Sequence, residues 1–258
     1  MTSLVGKRAL VTGASRGIGL SIAQALAEQG VRVAISARRQ PDLDAALAQI
    51  EAAGGHGMAI TCDVTDTDQI AALHEQIETA WGGLDILVSN AGSGKSAPFR
   101  SHPDALWHQM IAINLDSAYY ITKAFAPAML DQEYGRIINI ASLASKAGGK
   151  YVAAYTAAKH GLLGLTRALA VEFAPHVTVN AICPGYVDTS MTDATIENIV
   201  EKTGRTSQQA RHALEKSNPQ NRLIEPDEVA AVAVMLAGHG ARGITGQAIN
   251  VDGGAIMY

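Results

Sequence analysis

Tyr155 and Lys159 stand four residues apart, with Ser142 thirteen residues before the tyrosine, in the run Ser142-(x12)-Tyr155-Thr156-Ala157-Ala158-Lys159. The second part of this run falls in an amphipathic helical pattern, where i, i+4 spacing puts phenol and ammonium on one face, one turn apart. A cation so placed favours the phenolate, and is expected to draw a phenol of ordinary pKa about 10 toward working pH. Such a tyrosine could give a proton to a carbonyl oxygen or take one from an alcohol. Taken alone, the pair is also what a solvated helix face shows, because exposed pairs contribute little.

The elements that must position these groups begin at the N-terminus. Lys7-Arg8-Ala9-Leu10-Val11-Thr12 reads as a strand that runs into Gly13-Ala14-Ser15-Arg16-Gly17-Ile18-Gly19. An amphipathic helix follows from about Ile18 to Gln29, closed by Gly30. Strand, glycine turn, helix is the context in which such glycines bind a pyrophosphate at a helix N-terminus. Gly13 suits the tight turn, Gly17 a close approach of backbone to phosphate, and Gly19 close packing of helix on sheet. The spacing is Gly-x-x-x-Gly-x-Gly rather than the Gly-x-Gly-x-x-Gly fingerprint.

With both patterns on one chain, the sequence resembles the short-chain dehydrogenase/reductase family. The resemblance rests on Thr12-Gly13-x-x-x-Gly17-x-Gly19, Asn90-Ala91-Gly92, Asn114, Ser142, Tyr155-x-x-x-Lys159 and Pro184-Gly185, in the family's order over almost the whole chain. One departure is Ser89, where the family commonly has Asn. The resemblance implies a single Rossmann-type α/β domain over residues 1–258 and a nicotinamide cofactor. It also implies four catalytic groups. Tyr155 is the acid in reduction and the base in oxidation, and Ser142 positions the carbonyl. Lys159 lowers the tyrosine pKa and binds the nicotinamide ribose, and Asn114 carries a water that relays protons from Lys159. Further cofactor contacts are implied for Ser15, Arg16 and Ile18 in the glycine turn, and for Asp63 and Val64 after the third strand, Asp63 at the adenine amino group. Asn90, Ala91 and Gly92 are expected along the adenosine ribose, and Pro184, Gly185, Val187 and Thr189 at the carboxamide. Plainer alternatives stand beside these: Asp63 as a cap for the helix at 66–80, Asn90-Ala91-Gly92 as a turn, Asn114 as a helix kink.

The choice of nicotinamide turns on the end of the second strand, where a carboxylate binds the ribose 2′-hydroxyl and a guanidinium accommodates a 2′-phosphate. This chain reads Ile35-Ser36-Ala37-Arg38-Arg39, with Ala37 where NAD-using members carry Asp, and Arg16 sits in the glycine turn. Guanidinium groups fork onto phosphate, so Arg16, Arg38 and Arg39 point to NADP(H), with NAD(H) the alternative.

At 258 residues with net charge −4, the chain fits one large α/β domain. It has no basic block for nucleic acid and no basic amphipathic face for lipid. No stretch approaches the roughly 20 apolar residues of a membrane span, and residues 1–8 offer no signal-peptide core. A cytoplasmic setting is the expectation. Cys62 and Cys183 are the only cysteines, in apolar settings that suggest buried thiols. The eight histidines form no metal-ligand spacing, so no metal is expected.

Apolar β-rich runs at 31–36, 58–61, 84–89, 135–140, 177–182 and 246–251 follow the first strand. Helical patterns lie between them at about 42–53, 67–80, 104–131, 153–174 and 226–237. The alternation predicts a doubly wound parallel sheet of seven strands with helices on both faces. Residues 188–222 break it with a polar excursion at a strand's C-terminal end, which reads as a lid over substrate.

Ser93 to Pro98, Leu143 to Val152, Tyr186 and the lid are expected to line the substrate pocket. They are mostly small or apolar, with Lys95 and Lys150 as nearby cations. That lining suits a medium-sized ketone or a 3-oxoacyl group. The 3-hydroxybutyrate dehydrogenase branch ranks second, because its polar anchors appear here as Gly94, Ala144 and Val152. A non-catalytic nucleotide sensor is a third reading, disfavoured because all four catalytic positions are filled. The resemblance also implies a homotetramer assembled through the long helices at 104–131 and 153–174 and the C-terminal strand.

Overall fold

The computed structural model describes residues 4–258. Seven strands form one parallel sheet: β1 (Arg8–Thr12), β2 (Arg32–Ala37), β3 (His56–Thr61), β4 (Ile86–Ser89), β5 (Gly135–Ile140), β6 (Val177–Pro184) and β7 (Ala248–Val251). Their order is β3-β2-β1-β4-β5-β6-β7. Parallel neighbours cannot be joined by tight turns, so helices carry the chain back across the sheet. These are α1 (Gly17–Glu28), α2 (Gln40–Ala52), α3 (Thr67–Trp81), α4 (Asp104–Ile111), α5 (Ser117–Asp131), α6 (Ala153–Glu172), α7 (Ser190–Thr203), α8 (Ser207–Glu215) and α9 (Pro226–Ala237).

Side chains alternate across the strands, which explains how nearly unbroken apolar runs serve two cores. Ala9, Val11, Ile86, Val88 and Ile138 face α1, α2 and α9, and meet Ile22, Leu26, Leu43, Ile50, Val229 and Leu236. Leu10, Leu87, Ile137 and Val179 face the opposite layer, where α3 and α5 bring Ile70, Leu73, Ile77, Ile121, Phe125 and Met129.

Several boundaries differ from the sequence reading, each for a local reason. Strand β3 starts at His56 because its backbone pairs with β2 from Arg32↔His56 onward, whatever its side chains. Strand β7 starts at Ala248, because Gly246 turns with φ of 71°. Helix α2 starts at Gln40, with Pro41 in the first turn, where its missing N–H costs nothing. The long helix at 104–131 is broken by a π turn over Ala112–Asp116.

The segment at 188–222 is built of α7 and α8, joined through Gly204 at φ of 69°. Thr206 and Gln209 form a reciprocal capping box that starts α8. Ile196, Ala210, Leu214 and Leu223 give the excursion a small core of its own. Its base is held by a short parallel bridge, with Asp188 N–H donating to Ile224 O at 2.8 Å and Ile224 N–H to Tyr186 O at 2.9 Å.

β1 pairs with β2 on one side and β4 on the other, so the connections leave in opposite directions there. A crevice opens at the C-terminal ends of such strands, and it is where ligands bind in open α/β sheets. Every residue singled out from the sequence lies at that end of the sheet or on a helix beside it.

Candidate active site

Strand β5 ends at Ile140 and α6 begins at Ala153, and their junction brings Ser142, Tyr155 and Lys159 together. Ser142 caps a short 3₁₀ turn, its Oγ accepting from Ala144 N–H at 3.1 Å while its own N–H donates to Ser145 Oγ at 3.2 Å. This fixes the serine backbone and leaves its hydroxyl proton free to turn outward. The hydroxyl lies close enough to the Tyr155 phenol to favour its phenolate form.

Lys159 is buried, and its Nζ donates to Ile140 O at 2.8 Å. Nζ lies 5.8 Å from the centre of the Tyr155 ring. Burial disfavours the ammonium and lowers its pKa to about 8, so it is still mostly charged at neutral pH. The expectation for Tyr155 needs correction. Burial pushes the phenol above its ordinary value, and the Ser142 hydroxyl offsets this only in part. The ammonium faces a backbone carbonyl rather than the phenolic oxygen, so the tyrosine stays protonated at neutral pH.

Asn114 is buried in the π turn, and its amide is largely occupied. Nδ2 donates to Ser93 O at 2.9 Å and to Met110 O at 3.0 Å, and Oδ1 accepts from Ser93 N–H at 3.2 Å. A methyl group at Gly92 would sit 2.9 Å from Asn114 Oδ1 and 3.7 Å from Lys159 Nζ, so the three positions surround one small space. The plainer reading of Asn114 as a helix irregularity is met too, since π turns recur at functional sites.

The glycine turn closes on the same crevice. Gly13, at φ of 64°, lies so close to Ala91 that an added Cβ would stand 2.8 Å from its Cα. Gly17, at φ of 57°, leaves 3.2 Å between such a Cβ and Thr189 Cγ2. Only glycine takes these conformations at no cost while letting three separate loops converge. Helix α1 follows an N-cap residue, Arg16, that makes no side-chain cap, and it has no acid in its first turn. Its first N–H groups are thus open toward the crevice, as a pyrophosphate requires. That arrangement fits a dinucleotide.

Around this cradle the sequence-derived residues divide. Asn90 Nδ2 donates to Thr12 O at 2.8 Å and Gly13 O at 3.1 Å, so its amide protons brace the turn and are not free for a ribose. Asn90 and Ala91 N–H both donate to Thr12 Oγ1. Asp63 Oδ1 accepts from Thr65 N–H and Thr65 Oγ1, a local turn, and the cap of α3 is Asp66. The side chains of Val64 and Val187 are buried in the two cores, which leaves only their backbones for a ligand. Ser15 and Ile18 are partly exposed on the turn and Arg16 is exposed. Arg38 and Arg39 are exposed beyond β2, and Ala14 N–H donates to Ser36 O at 3.2 Å, which ties the glycine turn to that strand end. Asp42 approaches Arg39 at 3.6 Å in an exposed pair, too weak to hold the guanidinium against an incoming phosphate. Gly185 packs on Asp252, and Thr189 Oγ1 donates to Val187 O at 3.4 Å.

Sequence reasoning named Thr12, Ser93 and Ser145 only as motif or pocket-lining positions, and missed that they, with the Ile140 carbonyl, hold these residues in place. Ser145 had a signal, the reciprocal Ser-x-x-Ser cap. The Ile140 carbonyl had none, since every residue has one.

Comparison with known proteins agrees with this geometry. A family model described as Enoyl-(Acyl carrier protein) reductase matches residues 13–255. D-beta-hydroxybutyrate dehydrogenase of Cupriavidus necator is 40% identical over 97% of this chain and 98% of its own. The 3-oxoacyl-(acyl-carrier-protein) reductase of Synechocystis is 39% identical over the full length of both. A solved variant of actinorhodin polyketide ketoreductase with NADPH superposes with a TM-score of 0.95 at 38% identity, over the full length of both chains. The chain belongs to the short-chain dehydrogenase/reductase family. As a short-chain dehydrogenase/reductase it is an oxidoreductase that works with a nicotinamide cofactor. Among the described residues no group of three or more His, Cys, Asp or Glu could hold a metal, and no helix is long and apolar enough to cross a membrane. Cys62 and Cys183 are free and buried.

Asn114→Ala leaves the Ser93 N–H and C=O without their partner, and is expected to cost about 1–3 kcal/mol in urea unfolding. A stability equal to wild type contradicts that bracing role.

Proposed function

We propose that this short-chain dehydrogenase/reductase uses NADPH to reduce a ketone, or the ketone of a 3-oxoacyl group, to a secondary alcohol. The observation that carries this reading is the Tyr155 phenol, kept protonated by burial beside the Ser142 hydroxyl. Two hydroxyls side by side suit one carbonyl oxygen, which accepts from both as negative charge develops on it.

When bound, the dihydronicotinamide supplies a hydride to the carbonyl carbon. Tyr155 gives its proton to the oxygen, and Ser142 holds that oxygen in place. The Lys159 ammonium, fixed by Ile140 O, offers its remaining protons to the nicotinamide ribose and favours the phenolate left behind. Asn114 Oδ1 has a second acceptor position toward Gly92 and Lys159, where a water can return a proton. Asn90, Ala91 and Gly92, with Pro184, Gly185, Val187 and Thr189, border the dinucleotide largely through backbone. Asp63 and Val64 border the adenine. The excursion at 188–222 serves as the lid.

NADP(H) is favoured over NAD(H) because no carboxylate stands at Ala37 while Arg16, Arg38 and Arg39 are exposed around the same strand end. The similarity to a hydroxybutyrate dehydrogenase favours a second reading, an NAD-dependent enzyme for a short hydroxy acid. It ranks lower because Gly94, Ala144 and Val152 offer no anchor for a carboxylate. Exposed Trp107, Tyr119, Tyr120 and Val171 on α4, α5 and α6 give the proposed homotetramer an apolar contact face. A cytoplasmic setting accords with two buried free thiols.

Loss of NADPH absorbance with a panel of ketones and 3-oxoacyl thioesters tests the reading. Tyr155→Phe should lower kcat by ~10²–10⁴-fold with NADPH binding nearly intact. Retained turnover in that variant removes the tyrosine from the chemistry. Ala37→Asp with Arg38→Leu should move the NADPH:NADH ratio of kcat/KM toward NADH by about 10–100-fold, the worth of one or two charged hydrogen bonds. A wild type that already prefers NADH overturns the cofactor assignment.

A further inference from the structure

Ser142 stands at the head of a short turn, 142–146, whose two ends are held differently. The first grows out of β5, where Ala141 N–H donates to Ile182 O at 2.7 Å. Within the turn, Ser145 N–H donates to Ser142 O and Lys146 N–H to Leu143 O, each at 2.9 Å. These bonds join the serine to Lys146 as one unit. Beyond Lys146 the chain runs as a loop to α6, with Gly148, Gly149, Lys150 and Tyr151 exposed. Exposed loops with little packing open at small cost, so the loop is a weak anchor for the far end of the turn.

The firm anchor is the side chain of Lys146. Its Nζ donates to Ala248 O of β7 at 2.9 Å and to Tyr258 O at 2.7 Å, both about a hundred residues away in the chain. Tyr258 O is brought there by a fold-back after β7. Asp252, buried, accepts from Gly254 N–H at 3.0 Å and Ile256 N–H at 2.9 Å, and Asn250 Nδ2 donates to Ile256 O at 2.6 Å. The side chains of Met257 and Tyr258 are exposed, so these two residues serve through their main chain. The root of the same fold-back touches the other half of the site. Gly185 N–H donates to Val251 O at 2.9 Å, and a Cβ at Gly185 would stand 3.1 Å from Asp252 Cα. The serine turn and the loop proposed to border the dinucleotide are thus both fastened to residues 248–258.

We propose that Lys146 is a positioning residue for the reaction: by tying the Ser142 turn to β7 and the fold-back at 252–258, it sets the serine hydroxyl in place relative to the cofactor loop at Gly185. This deepens the ketone-reductase reading and rests on it. The Lys146 ammonium is engaged by two main-chain carbonyls, so its effect passes through Ser142. Hydrogen bonds from a charged donor are roughly twice as strong as neutral ones, and two of them make a stiff strut where the loop alone is soft. An apolar side chain in its place would leave the far end of the turn to the loop, and the serine with it.

The test follows NADPH oxidation with ethyl acetoacetate as the ketone. Lys146→Met should lower kcat by about 10–100-fold, the cost of misplacing a reacting group by about 1 Å. NADPH affinity, read by fluorescence titration, should stay at the wild-type level. Lys146→Arg keeps a charged donor of similar reach and should restore most of kcat. Truncation after Ile256 removes one acceptor and should lower kcat by less. Added to Lys146→Met it should cost nothing further, because both changes break the same contact. Wild-type kcat in Lys146→Met, or a loss that Lys146→Arg does not restore, overturns the proposal. So does a loss shared equally by kcat and NADPH affinity, which is what a general loosening of the fold would give. If Lys146→Met does not fold, the truncated chain decides: a lowered kcat with intact NADPH affinity supports the proposal, and a wild-type kcat overturns it. No turnover by the wild type with ethyl acetoacetate or with any ketone or 3-oxoacyl thioester of the panel overturns the reductase reading and this inference with it.

Discussion

A buried ammonium bonded to the last carbonyl of a strand organises this molecule. Lys159 Nζ reaches Ile140 O from the second turn of α6, and so pins the helix that carries the tyrosine to the strand that delivers the serine. A charge taken out of water is tolerated only with partners, and one carbonyl is a partial remedy, which is why its pKa falls to about 8. The remaining ammonium protons are therefore a standing demand for acceptors. In the proposed function, ribose hydroxyls would meet that demand, which would make cofactor binding and the setting of the active-site charge one event.

The parts around that interaction are positioned by backbone more than by side chains. The π turn inserts Asn114 beneath Ser93, and the Ser142 cap fixes the strand end. Thr12 and Asn90 tie β1 to β4 at the point where the sheet changes direction, and α1 leaves its first amides open just there. Apolar alternation on β1, β4 and β5 supplies two cores that hold the strand ends level. The candidate catalytic groups thus sit on helices and strand ends, while the excursion at 188–222 packs mainly upon itself and is fastened at its base by the bridge at Val187 and Ile224 and the Asp188–Arg211 ion pair of 2.6 Å.

Much of this was legible beforehand. Period-two and period-3.6 patterns located all seven strands and the main helices, because burial on both faces of a parallel sheet leaves a strong apolar signature. The proximity of Tyr155 and Lys159 was readable from spacing, since i, i+4 on a helix fixes it, and Ser142 was added by the family resemblance. What escaped was set by three-dimensional surroundings. Nothing in the sequence indicates that the Lys159 ammonium turns to a carbonyl, so the direction of the Tyr155 shift was misjudged. Likewise Asn90 was expected at a ribose, and its amide proves to brace the glycine turn. Val64 and Val187 present buried side chains, because positions next to a ligand loop still alternate between core and crevice. The π turn left no mark either, since Ala112–Asp116 has ordinary helical composition.

The measurement that bears most directly on the central claim is the pH dependence of kcat/KM for NADPH in ketone reduction, which reports groups of the free enzyme. Lys159 is protonated below its depressed pKa and neutral above it, and Tyr155 keeps its proton throughout the neutral range. The profile should therefore be level on the acid side and fall as pH rises through about 8. A limb that climbs with pH across neutrality would mean that a deprotonated phenol or amine is the active form, and would contradict the account.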